Sequence, residues 1–313
     1  MLQAYINIFA IFALMFLGYF LSYKQWFNNQ VADAFSKLVL NLALPFNMFL
    51  NMTENFSRDE FLSLFSGMII PLLSLGATFL ISLLYRRIFH ISKTRQGTFS
   101  TMFTCSNTIF IGLPINLAVF GEKAIPYVLL YYIVNTTFFW TIGIYTMAQD
   151  NPEIEQQQLS FHPVVLIKKV LTPALMGFII GLLWVMTTRP VPSFLQNFGG
   201  YLADLTTPLS MFIIGIIVYS NGLANLKFNK DILGVLIGRF VISPLIVWGL
   251  GFVFPVPALM LSVFMIQSSM PVQNSIPILA RNYQADEDYA ASSLGYSVLL
   301  YMIYIPILLK IIL

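Results

Sequence analysis

Two apolar segments, each long enough to cross a bilayer as one helix, carry helix-breaking polar cores. One reads CSNTIFIGLPIN, from Cys105 to Asn116, and the other QSSMPVQNSIPIL, from Gln267 to Leu279. Hydrocarbon offers no partner to a freed backbone N–H or C=O. A broken helix at membrane depth is therefore tolerated only inside protein or beside a watery cavity. Any fold for this chain has to enclose both breaks.

That the setting is a membrane follows from composition. Of 313 residues, 58% are hydrophobic and only 9% charged, against about 25% charged in a soluble domain. The formal charge of +3 carries little information, since membrane proteins place basic residues by topology. A single cysteine, Cys105, excludes an internal disulfide. The opening MLQAYINIFAIFALMFLGYF has no basic residue ahead of its apolar run and no A-x-A-like cleavage site, so it reads as a retained first helix. HExxH, G-x-S-x-G and P-loop patterns are absent, which removes the usual hydrolase and nucleotide-driven classes. Neither an enzyme, a cofactor nor a nucleic-acid partner is expected.

Runs of roughly 20 apolar residues fall at Gln3–Tyr23, Asp33–Met52, Phe61–Phe89, Gly97–Phe120, Ala124–Ala148, Val164–Thr187, Tyr201–Asn221, Ile232–Val253, Pro257–Ala280 and Ala285–Lys310. The expected fold class is thus an all-α polytopic membrane protein of about ten helices. Arg86, Arg87, Lys93 and Arg95 follow the third run, with Lys24, Lys37, Lys168, Lys169, Lys227, Lys230 and Arg281 near loops on the same side. The positive-inside rule then predicts a cytoplasmic central linker and extracytoplasmic termini in a cell membrane.

The two halves repeat. Pro45 and Pro208 are 163 residues apart, as are Gly18 and Gly181, Met48 and Met211, and Pro114 and Pro277. This predicts repeat one over residues 1–148, a linker over 149–163 and repeat two over 164–313. Five helices per half makes the second repeat enter from the opposite side, the inverted plan of many carriers, whose site lies at the repeat interface.

Candidate binding residues cluster at the breaks. In helix four these are Asn107, Gly112 and Pro114, with unwinding expected around the Gly and Pro. In helix nine Pro271 and Pro277 bracket Gln273 and Asn274, and Ser269 precedes them. Half-helix ends exposed by such breaks suit an anion. A matched pair of Pro- or Gly-interrupted segments is the best sequence pointer to a carrier's site, although a single one reads equally as a kink. Asn47, matched by Ser210, faces the cavity or serves as packing glue. Arg239 in GVLIGRFVISPL is a fork-shaped donor inside a membrane helix. It is either a counter-charge for a carboxylate, or it snorkels or pairs with a structural acid. Arg281 is a weaker candidate of the same kind. Asp204, matched by Asn41, is either a proton-coupling carboxylate or a first-turn acid that complements its helix dipole. The GxxxG pairs Gly177–Gly181 and Gly234–Gly238 suit packing inside the bundle, or a dimer face.

SNTIFIGLPIN, MPVQNSIPILARNYQADEDYAASSLGYSVLL and LVLNLALPFNMF resemble the auxin efflux carrier family in its bacterial branch, which includes malate and malonate permeases. The resemblance spans essentially the whole chain. It implies a scaffold and a transport domain, with helices four and nine crossing at their breaks and the substrate anion bound there. Asn107 and Pro114 match the helix-four motif, and Pro271 and Asn274 lie in the helix-nine motif. The long cytoplasmic loop of the plant members is missing, which favours a small bacterial metabolite over auxin, and the expected substrate is a small organic anion, a dicarboxylate such as malate. An auxin-like monocarboxylate carrier, a sodium symporter and a ligand-binding channel or sensor are the alternatives.

Overall fold

The computed structural model describes residues 2–55, 67–151, 172–187, 189–220, 222 and 226–312. Most of the expected linker, the start of the third expected run and residues 164–171 of the sixth lie outside them. The described chain is helical. Its one strand-like feature is an isolated bridge between Ser106 and Val272.

Among the described residues, six helical runs are long and apolar enough to cross a membrane: Gln3–Tyr23, Ile69–Ile88, Glu122–Ala148, Ser193–Ser220, Lys230–Val253 and Glu287–Ile312. Thr108–Phe120, Pro173–Val185 and Ala258–Ser268 are apolar but shorter. Polarity is distributed inside out, as lipid solvent requires. Phe9 is 75% exposed and Ile303 66%, whereas Thr98, Ser100, Thr101 and Thr104 are fully buried.

The chain forms two compact units, each drawing on both halves of the sequence. The first comprises Met1–Ser66, Ile109–Leu130 and Leu171–Gly222. Within it α1 (Leu2–Tyr23) packs on the later helix Thr206–Ser220, and α2 (Asn29–Leu38) leads through a π-turn, Val39–Ala43, into α3 (Leu44–Asn55). The contacts are backbone-close. A Cβ on Gly215 would lie 2.2 Å from the Met15 carbonyl oxygen, and one on Gly177 would lie 2.2 Å from that of Pro45. Gly181 meets Phe49 and Met52 in the same way. The first GxxxG pair therefore serves packing inside this unit.

The second unit comprises Gly67–Thr108, Tyr131–Val170 and Leu223–Leu313. It contains α4 (Ile69–Ile88), α5 (Gln96–Thr104), and the later helices Lys230–Ile237, Ser243–Val253, Ala258–Ser268, Ile276–Asn282 and Glu287–Ile312. Gly97 abuts the Thr146 carbonyl, while Gly234 and Gly238 sit under the rings of Phe99 and Phe103. The second GxxxG pair is likewise internal. Asp150 receives the Gly97 and Thr98 amides at 2.6 and 2.7 Å and so caps α5. Burial pushes its carboxyl up from the ordinary value, and the two amides pull it back. Arg95 grips Asp286 at 2.6 Å and reaches Asp231 at 3.7 Å, and Asp286 in turn caps the last helix through the Tyr289 amide.

Pro45, Pro114 and Pro244 share one local solution. Each is the second residue of a helix preceded by a π-turn: Val39–Ala43, Thr108–Gly112 and Gly238–Ile242. Proline lacks an N–H and its ring clashes with the carbonyl four residues back. Widening the preceding turn moves that carbonyl aside.

Gly215→Ala is expected to lower the apparent melting temperature of the purified protein, because the Met15 backbone cannot retreat. Gly76→Ala, whose added methyl meets nothing within 4 Å, is expected to be neutral or to gain up to about 1 kcal/mol. Equal effects at the two positions would refute the packing described.

Candidate functional site

Helix α5 stops at Thr104, and Cys105 is extended with φ −89° and ψ 136°. After the π-turn Thr108–Gly112 the chain resumes as α6 (Leu113–Phe120). The break thus falls at Cys105–Asn107, ahead of the Gly112–Pro114 stretch where unwinding was expected. The proline lies inside the resumed helical segment Thr108–Phe120, where the wide turn Thr108–Gly112 makes room for its ring.

Numbering the remaining helices in order gives α7 (Ile125–Phe138), α8 (Ile144–Ala148), α9 (Pro173–Val185), α10 (Ser193–Ala203), α11 (Thr206–Ser220), α12 (Lys230–Ile237), α13 (Ser243–Val253), α14 (Ala258–Ser268), α15 (Ile276–Asn282) and α16 (Glu287–Ile312). Helix α14 stops at Ser268, and Ser269–Ser275 is non-helical before α15. Pro271, Gln273 and Asn274 lie inside this second break, and Pro277 is the second residue of α15, matching Pro114 in α6.

The two breaks meet within the second unit. Ser106 and Val272 form an antiparallel bridge, and the Asn107 amide donates to the Pro271 carbonyl at 2.9 Å. Side chains supply the partners a sheet would otherwise provide. Asn135 on α7 accepts from the Ser106 amide and donates to the Ser106 carbonyl, both at 3.0 Å. The Ser297 hydroxyl on α16 accepts from the Val272 amide at 3.1 Å, and Gln267 Nε2 donates to the Thr108 carbonyl at 3.2 Å.

Arg239 lies beneath this crossing, fully buried in the π-turn before Pro244. It is ten residues into the 24-residue run Lys230–Val253. At 1.5 Å per residue that is about 14 Å deep, close to mid-membrane. Its Nε donates to the Met270 carbonyl at 3.0 Å, Nη1 to those of Thr104 at 2.6 Å and Phe103 at 3.4 Å, and Nη2 to that of Ser268. Phe103, Thr104 and Ser268 are the terminal residues of α5 and α14, and Met270 lies in the non-helical segment just past α14. Neither a snorkelling path nor an acid partner accounts for Arg239: the ion pairs among the described residues join Arg95 to Asp231 and Asp286, and Arg281 to Glu287. The Arg281 pair is exposed.

The polar groups at the crossing differ in access. Asn107 is 3% exposed and Ser269 is buried, with its hydroxyl donating to the Ile266 carbonyl. Gln273, Asn274 and Ser275 are half-buried, and Gln273 Oε1 has no hydrogen-bond partner. Gly112, Pro114, Asn47 and Asp204 belong to the first unit. There Asn116 donates to the Gly112 carbonyl at 2.7 Å, Asn47 is half-buried with an unpartnered Oδ1, and Asp204 is an exposed residue ending α10. Helix α10 begins at Ser193, so the run is longer than expected and Asp204 lies well inside it rather than near its start.

Asn135 and Ser297 were not singled out from sequence. The available signal was a carboxamide in the middle of an apolar helix, which lipid tolerates only when it has work inside the protein.

A family described as membrane transport protein matches residues 3–309. The chain belongs to that family, the auxin efflux carrier-like transport proteins. It is similar to an uncharacterized transporter of Methanocaldococcus jannaschii, 25% identical over 286 residues and 90% of each chain. It is also similar to an uncharacterized transporter of Methanothermobacter thermautotrophicus, 22% identical over 309 residues and 96% of each chain. Family and relatives alike indicate a multi-pass membrane transporter rather than an enzyme.

Asn135→Ala strands the buried Ser106 amide, at about 1–3 kcal/mol, and takes one of two donors from the Ser106 carbonyl, which keeps the Thr108 amide at 3.0 Å. A clear fall in apparent melting temperature is expected, with Ser297→Ala somewhat milder because it strands one amide and removes no second contact. An unshifted Asn135→Ala would show that the clamp is dispensable.

Proposed function

We propose that this protein is a secondary carrier of a small organic anion, a dicarboxylate such as malate, working by alternating access in the cell membrane. The observation that supports this most is the crossing of two broken helices, pinned backbone to backbone, with the half-buried amides of Gln273 and Asn274 beside it. Non-helical backbone at membrane depth is tolerated where it is enclosed or lines a cavity, and carriers place substrate there. Membership of a transport family supports the same class.

In this proposal Asn107 and Asn274 offer N–H donors to the carboxylates, with Ser269, Pro271, Gln273 and Pro277 shaping the helix-nine side. Gly112, Pro114 and Asn47 belong to the first unit and are proposed as binding residues there. Arg239 acts from beneath, through the backbone it holds. Asp204 is the proposed coupling carboxylate. The proposed topology is ten helices in two inverted five-helix repeats, residues 1–148 and 164–313, with both termini extracytoplasmic, the 149–163 linker cytoplasmic, and a homodimer as the assembly.

Uptake of labelled malate into proteoliposomes tests the site. The double variant Asn107→Ala with Asn274→Ala removes two hydrogen bonds to a charged group, each worth about 1.5–3 kcal/mol, so uptake is expected to fall by about a hundredfold or more. Unchanged uptake would overturn the site assignment. A wild-type protein that moves no dicarboxylate would overturn the substrate class.

A further inference from the structure

We infer that Arg239 is the resident cation of the crossing: its guanidinium holds the place, at two helix C-termini, that a bound metal ion would otherwise fill.

The last carbonyls of a helix have no intrahelical partner and together carry about half an elementary negative charge. Helices α5 and α14 both end at the crossing, so about one negative charge gathers there. In carriers built on broken helices, such half-helix C-terminal carbonyls commonly coordinate the coupling cation. Here Phe103, Thr104, Ser268 and Met270 all direct their carbonyls to one guanidinium. One fixed positive charge balances the two ends, and each hydrogen bond has an ionised donor.

The fit is specific to arginine. A planar fork presents its N–H groups along two edges in fixed directions and so reaches both helix ends at once. A lysine ammonium has three donors on one point and cannot span the same acceptors. Arg239 is therefore a positioning residue. It holds the non-helical backbone at Cys105–Asn107 and Ser269–Ser275, and all three of its guanidinium nitrogens donate to carbonyls there. Because the charge is covalent, the crossing does not need sodium to assemble. This last consequence, sodium-independent transport, rests on the carrier function proposed above; the assembly of the crossing does not.

Thermal unfolding of the full chain in lipid nanodiscs tests both parts. Wild-type protein is expected to melt at the same temperature in sodium, potassium and choline chloride at equal ionic strength. Arg239→Ala is expected to melt about 10 °C lower. Millimolar guanidinium should restore most of that loss by binding the vacated place in the native state, whereas tetramethylammonium should not. Arg239→Lys should lie between alanine and wild type. If the alanine variant does not accumulate, the lysine variant and the wild-type salt series carry the test. A lysine variant as stable as wild type, an alanine variant indifferent to guanidinium, or sodium-specific stabilisation of wild type would each overturn the proposal. In uptake assays, exchanging sodium for choline should leave the wild-type rate unchanged. A protein that transports no organic anion would remove the carrier reading and leave the thermal results standing.

Discussion

Two costs cancel one another at Arg239, and the interior of the second unit is arranged around that cancellation. A charged side chain at mid-membrane costs from about 3 kcal/mol on insertion scales to 10 or more in simulation. An unsatisfied backbone carbonyl in hydrocarbon costs several more. Apart, the buried guanidinium and the terminal carbonyls of α5 and α14 would each be prohibitive. Together they form short, charge-assisted hydrogen bonds to Thr104 and Ser268 that no water competes for. Breaking two helices at the same depth becomes sustainable because one side chain serves both broken ends.

That arrangement needs Arg239 aimed correctly and the extended segments held still. The π-turn Gly238–Ile242, induced by Pro244, sets where the arginine emerges from its helix. Gly238 lets the Phe103 ring lie directly on the α12–α13 backbone, which brings the α5 carbonyls within reach. Asn135 and Ser297 then take the part of neighbouring strands for Ser106 and Val272. Every one of these contacts lies inside one compact unit. Under the proposed carrier mechanism the crossing therefore travels with its unit as a rigid element.

The sequence displayed the breaks more clearly than the means of holding them. The proline and serine spacing of QSSMPVQNSIPIL marked the helix-nine interruption in its observed place. In helix four the same logic pointed too far along, because Pro114 is accommodated by a widened turn inside the resumed segment Thr108–Phe120, while the preceding helix ends where its partners lie. Arg239 was conspicuous as a charge, but its acceptors are backbone carbonyls as far as 136 residues away. Backbone atoms carry no sequence signature, so a search for an acid partner could not find them. Asn135 was hidden for a related reason: one amide in an apolar helix does not reveal which distant peptide it completes. Composition and the glycine pairs, by contrast, predicted membrane residence and close internal packing, because both depend on bulk polarity and side-chain size.

If the guanidinium is satisfied by backbone, its charge is already balanced where the anion would arrive, and recognition falls to neutral amides. Asn107, Gln273 and Asn274 each carry donors and acceptors, and none brings a charge that must be stripped of water in every cycle. Amide donors bind a carboxylate more weakly than a direct arginine fork would. For a carrier that is an advantage: a substrate held by a buried bidentate ion pair would be slow to leave on the far side. In the proposed carrier, satisfying Arg239 with backbone carbonyls thus keeps the positive charge the broken helices require, while leaving the proposed anion in contacts weak enough to release.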